Sequence, residues 1–135
     1  MRHFERWTPD HEDDPLTYAI IGCAINVHRA LGPGLRESAY EESLSYAFGK
    51  EGLAYVRQPS LPAVYEEVNL EKAYRPDFIV NDEVVVEVKT VSKLLPVHDA
   101  QVLTYLRFSE IQRGLLLNFQ ARRMMAGVRR LIQTR

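Results

Sequence analysis

Three charged side chains interrupt an apolar β-pattern in the segment YRPDFIVNDEVVVEVKT, residues 74–90: Asp77, Glu87 and Lys89. Side chains alternate along a strand, so Val84, Val86 and Val88 point to one face while Val85, Glu87 and Lys89 point to the other. The valine face suits a core. Glu87 and Lys89 then stand together near the strand's end, with Cα atoms about 6.5–7 Å apart. Asn81-Asp82 is a favourable hairpin turn. Counting outward from it sets residue 77 opposite residues 86–87. The hairpin brings one carboxylate close to another, with a lysine beside them.

Like charges at that range are unfavourable without compensation. A divalent cation supplies it, taking oxygen ligands from Asp77 and Glu87 and from the main-chain carbonyl of Val88. Magnesium keeps several waters, and one of them is a candidate attacking hydroxide. Lys89 can orient that water or stabilise charge developing on a phosphate. A plainer alternative stands beside this one: a surface hairpin whose acids pair with Lys89 and Arg75, an arrangement worth little energy.

These residues need a scaffold, and 135 residues suit one compact domain with a single core. No apolar run approaches the roughly 20 residues of a membrane span, and MRHFERWTPDHEDDP lacks the apolar centre of a signal peptide. A lone cysteine, Cys23, excludes an internal disulfide and a thiolate metal site. A cytoplasmic location is the expectation. A net charge of −1 argues against coating nucleic acid through overall positive charge, yet leaves a local basic surface open. Arg122, Arg123, Arg129, Arg130 and Arg135 form such a surface or simply a solvated terminal element.

Residues 1–14 are polar and acid-rich and read as a flexible arm, leaving residues 15–135 as the single domain. Helical spacing runs from Pro15 to Leu31, where Gly32-Pro33 stops it. A second helix is expected from Gly34 or Leu35 to Gly52. Prolines at 59 and 62 break the next stretch into short extended pieces. Then come the two strands of the hairpin, a helix after Pro96, and the apolar strand GLLLNF at 114–119. The C-terminal stretch reads as a turn followed by a strand at 127–132. This order predicts an α/β sandwich with a mixed sheet.

Pro76-Asp77 followed by Glu87-Val88-Lys89 resembles the PD-(D/E)XK nuclease signature. Gly34-Leu35-Arg36-Glu37-Ser38-Ala39-Tyr40 fits the GxxExxY pattern that names a small family within that superfamily, and Gln101-Val102-Leu103-Thr104-Tyr105 fits the QxxxY element of its exonuclease-like branch. The resemblance covers residues 16–132. It implies a restriction-endonuclease-like core, a mixed β-sheet flanked by helices. Asp77 and Glu87 would be metal ligands, Lys89 the catalytic lysine, and Glu37 would reach the metal directly or through water. Gln101 and Tyr105 would lie near the substrate phosphates.

Each supporting residue also has an ordinary reading. Glu37 can cap its helix, and Tyr40 can be a packing residue with a satisfied hydroxyl. His98, Gln101 and Tyr105 can form a solvated polar face, or the amide and phenol can bond a phosphate backbone. His28 is expected to hydrogen-bond the turn at 32–34. The leading expectation is a Mg²⁺- or Mn²⁺-dependent nuclease acting on DNA. The alternative is a non-catalytic module of the same fold that binds nucleic acid or a protein partner. A homodimer or a protein partner would supply the gripping surface that so small a core lacks.

Overall fold

The computed structural model describes residues 2–5, 14–70 and 74–133, the first four as backbone only. Helix α1 spans Pro15–Leu31. Asp14 starts it by accepting the Thr17 N–H at 3.1 Å, with Pro15 in the first turn where no N–H is needed. Gly32, at φ 67°, ends it as expected. Helix α2 spans Glu37–Lys50, two to three residues later than the sequence suggests. The cause is the loop Gly32-Pro33-Gly34, which stays non-helical with Gly34 at φ 105°.

Three short strands follow: β2 at Tyr55–Arg57, and the separate hairpin β3 (Val64–Tyr65) with β4 (Val68–Asn69). Then come β5 (Phe78–Val80) and β6 (Val84–Lys89), joined through Asn81 and Asp82, both left-handed at φ 53° and 56°. Helix α3 covers Pro96–Ser109 and leads to β7, Arg113–Asn118. A short 3-10 turn at Met124–Gly127 precedes β8, Val128–Gln133. That turn and strand match the expected end of the chain within a residue.

The backbone of Arg2–Glu5, β1, pairs antiparallel with β8. The sheet order is β1-β8-β7-β6-β5-β2. β6 and β7 run parallel, linked by α3, and the other neighbours are antiparallel. The predicted mixed sheet flanked by helices is present. The flexible-arm reading needs correction at both ends. Residues 2–5 form an edge strand, and Asp14 belongs to the domain as the cap of α1. The expectation for residues 1 and 6–13 falls outside the described residues, as does Arg135.

Two apolar layers clamp the sheet. Ile20, Ile21, Ala24 and Val27 of α1, with Tyr40, Leu44 and Phe48 of α2, pack on Val84, Val86 and Val88. Val102, Tyr105 and Leu106 of α3 pack on the other face, against Val85, Ile79 and Leu116. Each fully buried valine contributes ~1.5–3 kcal/mol, so the alternation in β6 firmly fixes which face Glu87 occupies. Among the described residues, no helix is long and apolar enough to cross a membrane.

Candidate active site

The site forms where β5 and β6 part company. Their ladder pairs Val80 with Val84, Ile79 with Val85 and Phe78 with Val86, which carries Asp77 to the position facing Glu87. There side chains take over from the ladder. The Asp77 N–H donates to Glu87 Oε1 at 3.1 Å, and the Val88 N–H donates to Asp77 Oδ2 at 2.7 Å. The Asp77 carbonyl accepts the Gln58 N–H at 2.8 Å. Asp77 is thereby held through its amide, its carbonyl and its side chain. Lys89 Nζ lies 3.5 Å from Glu87 Oε2. The two acids and the lysine stand together, as the hairpin count predicts, and the plain surface hairpin is ruled out by burial: Glu87 is only 5% exposed. Arg75, the other partner in that alternative, bonds Ser60 Oγ instead.

Burial is the main reason the Glu87 carboxyl titrates high, at about 8. The Asp77 charge adds to the effect, and Lys89 opposes it. Asp77 is pushed up to about 6, first by burial and then by Glu41 and Glu37, against the Val88 hydrogen bond. Two carboxylates stand side by side, and the one ammonium next to them lies against Glu87. The pair therefore lacks a positive charge, and its ligand atoms are hard oxygens. Both properties fit a divalent cation of the magnesium type.

Glu37 is exposed in the first turn of α2. It is close enough to raise the Asp77 pKa, but among the described residues no group of three or more His, Cys, Asp or Glu side chains is arranged to hold an ion. Nor does Glu37 cap the helix: Arg36 is the capping position, with no side-chain cap bond. Tyr40 instead braces the loop that precedes the helix. Its hydroxyl accepts the Leu35 N–H at 3.1 Å and donates to the Gly32 carbonyl at 2.5 Å, while its ring stacks on Phe119. The packing reading of Tyr40 is correct.

Glu41 is the acid that sequence reasoning missed. It lies one turn after Glu37, is 7% exposed, and accepts from Arg57 Nε at 3.1 Å and Gln58 Nε2 at 2.8 Å. It ties α2 to the segment that holds the Asp77 carbonyl. The four-residue step from Glu37 was the available signal.

On the opposite helix, Tyr105 is buried rather than solvated. Its hydroxyl accepts from Gln101 Nε2 at 3.0 Å. Burial, and then the charges of Glu87 and Asp77, hold the phenol above its ordinary range, so it stays protonated beside the acids. Gln101 and Tyr105 border an open groove of about 300 Å³ that Tyr74 and Thr104 also line. His98 leaves the expected polar face to accept the Leu95 N–H through Nδ1 at 2.9 Å. His28 does not serve the turn at 32–34 through its ring. Its Nε2 bonds the Ala121 carbonyl at 2.7 Å, beyond β7.

A search of the curated proteins and of the solved structures found no match. A family model described as the PD-(D/E)XK nuclease superfamily matches residues 14–131, from the cap of α1 into β8, and its span includes the acid pair and the lysine. The architecture is the restriction-endonuclease-like α/β core that this superfamily implies, and on that match the chain belongs to the PD-(D/E)XK nuclease superfamily.

Proposed function

We propose that this protein is a metal-dependent nuclease that hydrolyses phosphodiester bonds of DNA, working in the cytoplasm with Mg²⁺ or Mn²⁺. Superfamily membership gives the nuclease-like class, and these nucleases generally use divalent metals. The observation that carries the finer reading is the buried pair Asp77–Glu87 with Lys89 at 3.5 Å. A binding module gains nothing from two high-titrating carboxylates, which cost stability when ionised.

Asp77 and Glu87 would hold the cation, with the Val88 carbonyl as a further ligand and Glu37 reaching it through water. When bound, the cation supplies Lewis acidity and a water of lowered pKa. Lys89 stabilises charge developing on the scissile phosphate. The Glu87 contact holds its ammonium in place, so little reorganisation is needed. The Val88 N–H fixes the Asp77 rotamer, leaving Oδ1 for a ligand. Gln101 uses one amide hydrogen on Tyr105 and keeps another for a phosphate oxygen. None of these groups reads a base edge, so cleavage without sequence preference is expected.

The test is cleavage of plasmid and of labelled single strands with Mg²⁺ or Mn²⁺. Wild type should cleave, Lys89→Met should lose roughly 10²–10³-fold, and Asp77→Asn should be inert, each variant still folding cooperatively. A pure, folded wild type that cuts no DNA or RNA in either metal overturns the proposal.

A further inference from the structure

Several arginines among the described residues are held in ion pairs. Arg113 and Arg130 grip Asp14, Arg129 grips Asp99, and Arg57 grips Glu41 and Glu42. By contrast, Arg29, Arg122 and Arg123 are exposed and have no partner among the described residues. These three come together from distant parts of the sequence. They line one cleft of about 640 Å³, between the end of α1 and the segment that follows β7. The ring of His28 bonds the Ala121 carbonyl and so fixes the cleft floor.

The segment that carries Arg122 and Arg123 leaves β7 at the same end of the strands at which β6 presents Glu87 and Lys89. Lys89 of β6 stands beside Asn118 of β7 in parallel register, and the Phe119 N–H donates to the Lys89 carbonyl at 2.9 Å. Asn118 Oδ1 accepts the Gln120 N–H at 3.2 Å, and Gln120 Oε1 accepts the Gly34 N–H at 3.2 Å. This chain of bonds ties β6, the arginine segment and the loop before Glu37 into one rigid rim. Three unpaired guanidiniums in a concave surface attract a polyanion.

We propose that the cleft formed by Arg29, Arg122 and Arg123 is the docking track for the nucleic-acid backbone flanking the scissile phosphate. The inference rests on the nuclease reading for its ligand class, but it concerns residues separate from the acid pair. Guanidiniums bond phosphate oxygens in pairs and carry no base information, so the track grips without sequence preference. It supplies the surface that so small a core otherwise lacks.

The experiment measures binding of a short fluorescein-labelled DNA duplex and its single strand by anisotropy, in EDTA, across salt from about 50 to 200 mM. Wild type is compared with the triple variant Arg29→Gln/Arg122→Gln/Arg123→Gln and with the triple Arg→Lys variant, each checked for an unchanged unfolding midpoint. Neutralising the three guanidiniums should lower the salt slope by roughly 2–3 and weaken binding at least ~10-fold, while the Lys variant keeps most of the slope. Equal affinity and slope in wild type and the Gln triple overturn the track. So does a wild type that binds neither probe at low salt, which would leave an acidic protein as the occupant. Arginine-dependent binding without cleavage in Mg²⁺ or Mn²⁺ supports the track and removes the nuclease reading. Cleavage unaffected by the Gln triple does the reverse.

Discussion

Glu87→Gln should make the metal-free protein more stable at high pH while abolishing its chemistry. A raised carboxyl pKa has a definite sign. The folded state binds the proton more tightly than the unfolded one, so the associated stability is fully present below the unfolded value and disappears as pH climbs through the folded value. For Glu87 that window runs from its ordinary 4.5 to about 8. Full ionisation of the buried group then costs on the order of 3–5 kcal/mol. The amide is nearly the same shape, never ionises, and keeps Oε1 as acceptor for the Asp77 N–H at 3.1 Å. The Lys89 contact at 3.5 Å is already contained in that cost, because the ammonium opposes the rise. The net gain expected near pH 9 is therefore roughly 3–5 kcal/mol, or some 10–18 °C in midpoint for a chain of this size. Near pH 5 the two proteins should differ by less than ~1 kcal/mol. The assay is urea unfolding in EDTA at several pH values. Saturating Mg²⁺ should then restore the wild type selectively, by about 2.7 kcal/mol at a hundredfold excess over Kd. A variant no more stable than wild type near pH 9, with a flat wild-type profile, would refute the claim that the pair is held under electrostatic tension.

Other outcomes follow from the same geometry. Asp14→Ala removes the cap of α1, strands Arg130 and leaves Arg113 with Glu83 alone, so chemical unfolding should show a loss of about 3 kcal/mol. Gly114→Ala drives a Cβ to 2.6 Å from Val102 Cγ1 beneath α3, and its midpoint should fall by the equivalent of ~1–3 kcal/mol. Tyr40→Phe deletes the bridge between the Gly32 carbonyl and the Leu35 N–H, which should cost ~1–2 kcal/mol and loosen hydrogen-exchange protection in the loop before Glu37. Mn²⁺ affinity, measured by calorimetry in two buffers, should rise between about pH 6 and 8 with release of protons, because binding must displace them from Asp77 and Glu87.

Local regularities in the sequence were enough for much of the scaffold. The valine alternation fixed the faces of β6, the turn at Asn81-Asp82 fixed the register, and together they set Asp77 against Glu87. Pro15 and Gly32 bounded α1 because proline and glycine act on their own backbone. What stayed hidden depended on groups far apart in the chain. Asp14 looked like part of an acidic arm, since nothing nearby announces Arg113 and Arg130, 99 and 116 residues away. Tyr105 looked solvated because helix α3 has little apolar contrast between its sides. Only its seat over Val85 and Leu116 turns that tyrosine inward. Glu41 passed unnoticed because an acid inside a helix reads as surface until Arg57 and Gln58 fold over it. The division between the ion-paired arginines and Arg29, Arg122 and Arg123 was hidden for the same reason.

If Asp77 and Glu87 exist to share a cation, anomalous diffraction from a crystal soaked in Mn²⁺ will show it most directly. A peak is expected between the two carboxylates, within bonding distance of Asp77 Oδ1 and Glu87, and it should vanish in Asp77→Asn. A well-ordered wild-type crystal with no peak there, or with manganese bound only elsewhere, would contradict the shared-cation site.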